Sequence, residues 1–351
     1  MYYNINKKAN KCTITMSEQK GGISLSKKGK SIDSLMRHIR DNHMIEIKGY
    51  SEKRYLLNMG YYHGYKALRF IRIKKNIQPF TNFSEIQALY DFDIALKSIL
   101  YPMLVKYETS VKNRLIDYLV ANDSVDIETI YDTKLTDYRE KEVGSKKYNE
   151  YLKLRLKLRK DIDETIAYNY GKNRSIIHFF HTNRPLPLWS YFEVITFGHL
   201  GDFVARLNEA YRIGLSKKLN LSIAPLNENG RIIEQFISCI RELRNATMHN
   251  SIVCDCRFKN QNTSQKVIQY AERYIGINNI NFESIIDYFI LLIFLLRKLD
   301  HPKSELNKYI TDLNRERERL YNAIPSNTYF ELLGTDARTK LDGIKLFIKN
   351  N

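Results

Sequence analysis

The segment Phe282–Leu299 sets the terms on which this chain can fold. It reads as a helix apolar on nearly every side, and its centre, Tyr288–Leu296, carries no charge. A helix of that kind belongs inside a protein core or a membrane. The run is far short of the roughly 20 apolar residues that a membrane span needs. Other helices of the same chain must cover it, and the sequence supplies them. Ile86, Leu89, Tyr90, Phe92, Ile94, Leu96, Ile99 and Leu100 recur at helical spacing, and a second periodic run covers Met103 to Val120. An all-α helical bundle follows.

Local signals divide the chain further. A short helix is expected over 32–43. Ser51 can cap a helix over Glu52–Met59 that Gly60 stops. Thr81 or Ser84 can cap the next helix, with Glu85 in its first turn, and Pro102 is expected to kink or interrupt it. Residues 123–144 are polar and irregular. Tyr151–Lys160 alternates with the period of a strand, but its neighbours favour a helix on which Lys153, Arg155, Lys157 and Arg159 form a solvated face. Pro185 and Pro187 stiffen the entry to a helix over Trp189–Phe197, with both of those residues in the core. A long helix is expected from Glu228 to about Ile252, and a charged one over Ser304–Leu320. The division expected is a flexible basic arm (1–30), a basic helical module (31–80), a main helical domain (81–320) and a partly ordered C-terminal tail (321–351).

Charge narrows the partners. The net charge is +17, and residues 1–80 alone hold 17 Lys/Arg against 5 Asp/Glu. Such a surface favours a polyanion, nucleic acid first and an anionic membrane surface second. Candidate RNA contacts are Lys27, Lys28, Lys30, Arg37, Arg40, Lys53, Arg54, Tyr61, Tyr62, Lys66, Arg69, Arg72, Lys74 and Lys75. Tyrosines among cations suit base stacking with phosphate contact, and suit a core equally well. Four cysteines do not make a disulfide framework, and Cys254-Asp255-Cys256 lacks the spacing of a zinc knuckle. No metal or cofactor is expected. Met1–Asn10 has no apolar segment of a signal peptide, so a cytoplasmic protein is expected.

The chemistry converges on Glu242-Leu243-Arg244-Asn245-Ala246-Thr247-Met248-His249-Asn250. Cleaving RNA through its own 2′-hydroxyl needs a base, an acid, and positive charge on the phosphorane. His249 can move the proton, Arg244 can hold the phosphate oxygens, and Asn245 can orient the imidazole or bind an oxygen. On a helix Asn245 and His249 lie about 40° apart, whereas Arg244 and His249 lie about 140° apart. They share a face only if the helix loosens near His249. One copy makes a lean site; two copies facing each other would supply two arginines and two histidines. The bare spacing is common, recurring here as Arg37 to His43 and Arg174 to His181. A hydrogen-bonded structural arginine and histidine remains the plain alternative.

Several separated motifs join this one. They are Tyr55-Leu56-Leu57-Asn58-Met59-Gly60-Tyr61-Tyr62-His63-Gly64-Tyr65, Leu89-Tyr90-Asp91-Phe92-Asp93 with Leu96, Glu108 with Arg114, and Leu186-Pro187-Leu188-Trp189 continuing to Glu193, Phe197, Gly198 and Leu200. With Arg241 to Asn250 they make the chain resemble the Abi-like family of bacterial abortive-infection proteins (the AbiD/AbiF group), of the HEPN superfamily. The resemblance covers about residues 32–310. It implies a HEPN-type helical bundle with a basic N-terminal extension and a role in phage defence or as a toxin. It implies a homodimeric, metal-independent endoribonuclease with Arg244 and His249 as signature pair and kinship with the HEPN modules of RNA-guided type VI CRISPR effectors. In the AbiF branch it also implies restraint by a small structured noncoding RNA. Glu108, Arg114 and Asn250 are possible supporting residues, although Glu108 and Arg114 suit structural pairing better. Where the family often has a further His after the motif, this chain has Asn250-Ser251. The second reading is a non-catalytic RNA-binding HEPN protein or scaffold.

Overall fold

The computed structural model describes residues 29–71, 78–121, 123–259 and 263–351. Among them the chain is helical throughout, with two isolated bridges, Glu46 to Asn82 and Asp126 to Pro187, in place of any sheet. In order the helices are α1 (Ile32–His43), α2 (Tyr50–Met59), α3 (Phe83–Val120), α4 (Ile127–Thr133), α5 (Lys146–Asn169), α6 (Arg174–His181), α7 (Leu188–Val194) and α8 (Phe197–Arg206). Then follow α9 (Glu209–Lys218), α10 (Ile232–Met248), α11 (Gln265–Ala271), α12 (Ile285–Lys298), α13 (Lys303–Tyr321), α14 (Ser326–Leu333) and α15 (Ala337–Asn350). No described helix is long and apolar enough to cross a membrane.

The apolar segment is the buried centre. Every residue from Ile285 to Leu296 is buried, and α12 packs against α3, α13 and α15. The last of these corrects the expected tail. Leu341, Ile344, Phe347 and Ile348 sit on one face of α15, and Phe347 lies 5.4 Å from Phe294 of α12. Lys340 Nζ also reaches the buried carboxylate of Asp287 at 2.8 Å. That period is local and readable in the sequence.

Helix α3 is the long rod of the fold. Asn82, rather than Thr81 or Ser84, caps it, and Glu85 closes the box by accepting from the N–H groups of Thr81 (2.7 Å) and Asn82 (2.9 Å). The helix runs through Pro102 without a break. Proline leaves the carbonyl four residues back without its helical donor. Here that residue is Ser98, which is exposed, so water can serve instead.

Other expectations change in detail. Residues 123–144 contain α4, capped by Asp126, and a 3₁₀ turn over Asp137–Glu140. Tyr151–Lys160 is helical, but Arg155 is not solvated. Its Nε donates to the carbonyl of Leu135 at 2.8 Å, and its guanidinium lies 3.9 Å from the centre of the Tyr131 ring. Arg159 pairs with Glu128 and Asp163, while Lys153 and Lys157 are exposed. The proposed 189–197 helix is two, α7 and α8. Phe197 is core, but Trp189 is 40% exposed. The motif helix begins at Ile232, where Asn227 Oδ1 accepts the Ile232 N–H at 3.0 Å, and it stops at Met248.

The N-terminal module is sewn to α3. Glu46 donates its N–H to Thr81 at 2.7 Å and accepts that of Phe83 at 2.9 Å. Tyr55 hydrogen-bonds Asp91, and Tyr65 stacks on Phe83 with ring centres 6.4 Å apart. From further along the chain, Arg257 Nη2 donates to the carbonyls of Ala67 (2.9 Å) and Phe70 (2.8 Å).

Candidate active site and nucleic-acid interface

Leu243, Ala246 and Thr247 turn the last part of α10 into the core, which leaves Arg244 half-buried and Asn245 and His249 exposed. The helix ends one residue before His249. Asn250 adopts a left-handed conformation (φ 54°), and Ser251 N–H bonds the carbonyl of Ala246 at 2.9 Å. Asparagine is one of the few residues with a side chain that visits this region readily. The turn therefore begins just after His249. His249, the C-cap (φ −98°, ψ 15°), still donates its N–H to the carbonyl of Asn245 at 3.0 Å, so it keeps its helical place relative to Arg244. Its ring makes no hydrogen bond or ion pair among the described residues.

Arg244 is aimed from α3. Its Nε donates to Glu108 Oε2 at 3.2 Å and its Nη1 to Asn245 Oδ1 at 3.3 Å. Glu108 is 14% exposed at its side chain and is gripped on its other oxygen by Lys112 at 2.9 Å. Lys112 in turn donates to the carbonyl of Ile195, at the end of α7, at 3.1 Å. A guanidinium has five donors; two are used here, and among the described residues Nη2 has no partner.

The turn carrying His249 is held by two residues to which sequence reasoning gave no role. Asp93, buried to 1%, accepts the N–H groups of Val253 and Cys254, each at 2.8 Å. Its second oxygen binds Lys97 at 2.7 Å, and Lys97 donates onward to Asn250 Oδ1 at 2.9 Å. The available signal was an Asp and a Lys four apart on an otherwise apolar stretch of α3. The structure thus joins Arg244 to Glu108 and Asn245, and Asn250 to Lys97, with His249 exposed between them in sequence. It does not gather Arg114, whose Nη2 bonds the carbonyl of Leu299 (2.9 Å) and Asp300 (2.8 Å).

The basic module resolves the question of its tyrosines residue by residue. Tyr65 is buried and Tyr61 stacks on it at 5.4 Å, whereas Tyr62 is 70% exposed. Lys66 Nζ lies 5.6 Å from the centre of the Tyr62 ring, and Arg54 lies 5.8 Å from that of Tyr50. Tyr50, 74% exposed, was missed, although it is one turn before Arg54. Lys30, Arg37 and Arg40 are exposed, Arg40 beside Asp41. Lys53 is taken by Asp33 at 2.7 Å, and Arg69 is half-buried with its Nε lacking a hydrogen bond. Lys27, Lys28, Arg72, Lys74 and Lys75 lie outside the described residues. His43 sits among these groups, its Nδ1 2.6 Å from the Tyr65 hydroxyl. Burial, then the charges of Arg69, His38, Lys66 and Lys30, pushes it down to about 4. Among the described residues, no three His, Cys, Asp or Glu side chains converge as metal ligands.

A family model for Abi-like proteins matches residues 54–255, which is 202 of the 351 residues and runs from α2 through the turn after α10. No curated protein and no solved structure matches this chain.

Proposed function

The chain belongs to the Abi-like protein family, and from that premise we propose that it serves phage defence as a toxin-like, metal-independent HEPN endoribonuclease. The observation that carries this reading is Arg244, oriented by Glu108, on the last turn before an exposed His249, with neither Nη2 nor the imidazole partnered among the described residues. Arg244 holds the non-bridging phosphate oxygens and stabilises the charge that builds in the phosphorane. His249 takes the proton of the 2′-hydroxyl as that oxygen attacks phosphorus. The bond to the 5′-oxygen breaks, a proton is given to that oxygen, and a 2′,3′-cyclic phosphate and a 5′-hydroxyl result.

One neutral imidazole cannot be base and acid at the same instant, which favours a homodimer with a second copy's His249 as the other group. The exposed apolar residues Ile94, Tyr101 and Val105 on α3, the helix that carries Glu108, are the face on which such copies would meet. A small structured noncoding RNA that restrains the enzyme would lie on the module of Tyr50, Arg54, Tyr62 and Lys66. The cytoplasm is the compartment such RNA substrates imply.

The test is to purify the wild-type protein and His249→Ala and Arg244→Ala variants from a host carrying the native flanking DNA, sequence bound RNA and map new RNA ends. Cuts that need both residues, ending in cyclic phosphates, support the ribonuclease. Tight, salt-sensitive RNA binding with no His249-dependent ends moves the reading to a non-catalytic RNA-binding protein. That second reading draws on Arg244, whose Nε and Nη1 are already committed to Glu108 and Asn245.

A further inference from the structure

A cleft of about 810 Å³ opens between the start of α4, one face of α5 and the loop that follows α6. Its floor is aliphatic, made by Ile127, Ile166 and Leu186. The floor is also rigid. Ile127 N–H bonds the carbonyl of Leu186 at 3.1 Å, and Leu188 N–H bonds that of Val125 at 2.8 Å. At the mouth stand the rings of Tyr170 and Phe180, edge to face at 5.7 Å and each about half exposed. A volume of this size suits a small organic molecule.

The charges around the cleft are almost all spent on one another. Asp126 caps α4 by accepting the N–H groups of Glu128 and Thr129. Glu128 and Asp163 are both paired with Arg159. The exception is Arg184. Its backbone is anchored by a bond from its N–H to the carbonyl of Phe179 at 3.0 Å, but its guanidinium has no partner among the described residues.

We propose that this cleft binds a small amphipathic monoanion, with an apolar body against Ile127, Ile166 and Leu186 and one anionic group on Arg184. Three carboxylates around the rim disfavour a polyanion, so nucleic acid is not the occupant. The site stands whether or not the chain cleaves RNA.

The test is a pair of fluorescent probes of matched shape, 1-anilinonaphthalene-8-sulfonate and the uncharged N-phenyl-1-naphthylamine, titrated into the full-length protein. Each is expected to bind once per chain. Arg184→Gln should weaken the sulfonate about tenfold, the scale of one charge-assisted contact, and leave the neutral probe unchanged. Ala167→Trp, which fills the cleft from an exposed position of α5, should abolish both while the urea midpoint stays at the wild-type value. Dodecanoate should displace the sulfonate and a short oligoribonucleotide should not. Two results overturn the proposal: binding of both probes that survives Ala167→Trp, or an Arg184→Gln effect equal for the two.

Discussion

Asp93→Ala should loosen the turn that carries His249 and lower the stability of the whole chain. The carboxylate accepts two buried N–H groups, from Val253 and Cys254, and neutralises Lys97. A buried donor left without an acceptor costs about 1–3 kcal/mol, and a buried ion pair broken on one side costs about 3–5 kcal/mol. These costs overlap here. Lys97 is 13% exposed at its side chain and keeps Asn250, so it can turn toward water. The sum expected is about 4 kcal/mol, from the two N–H groups with a small remainder for Lys97. Lys97→Met leaves both N–H groups their acceptor but strands the buried Asp93 carboxylate without its cation, so it should cost a comparable amount, and the two variants part at the amides. Urea unfolding followed by far-ultraviolet circular dichroism measures both variants. Native-state hydrogen exchange reads the Val253 and Cys254 amides directly, and they should lose protection in Asp93→Ala and keep it in Lys97→Met. A cost under about 1 kcal/mol in Asp93→Ala, with both amides still protected, would refute the reasoning.

Glu108→Gln removes the negative charge that aims Arg244 and holds Lys112. RNA cleavage should fall at least about tenfold, on the scale of one misplaced transition-state contact, while RNA affinity holds or rises; a fall in affinity with an intact cleavage rate would contradict that role. Arg54→Gln and Lys66→Gln should each reduce the slope of log affinity against log salt by about 0.7–0.9 if each touches one phosphate, which filter binding at several salt concentrations checks. For His43, the folded ring stays neutral down to about 4, against the ordinary 6.5 in the unfolded chain. The unfolded chain therefore binds the extra proton between these values, and stability rises with pH across that window. The contribution is complete above 6.5 and is lost as pH falls toward 4. Urea midpoints across this range should show His43→Gln with a flatter dependence than the wild type.

The helical class and the buried centre were legible because they are local. The even apolarity of α12 and the spacing along α3 need no tertiary knowledge. The motif was also local, and the sequence geometry asked the right question of it: whether the helix loosens at His249. The helix keeps its bond from His249 N–H to the carbonyl of Asn245 and turns left-handed only at Asn250, a conformation that asparagine alone does not announce. Long-range pairing was the part that could not be read. Arg155 sits among charged residues of α5 and looks solvated, yet it ends in a nest of carbonyls from the segment before it. Trp189 reads as core by size, but α7 is so short that one of its faces is left outside. Asp93 lies in a recognisable motif, yet its partners are the N–H groups of residues 160 and 161 positions later, which side-chain patterning cannot reveal.

That separation bears on when the site exists at all. Arg244 meets its carboxylate across 136 positions of chain, and the clasp from Asp93 to Val253 spans 160. A ribosome releases the chain from its N-terminus, so α3 must wait for α10 and the turn after it to be made before either contact can close. Through that interval Glu108 and Asp93 have no motif to hold, and an interrupted product that ends before Arg244 never gains one. Assembly of the site is thus timed by translation itself: neither contact can close until the chain has been made past Arg244 and Val253.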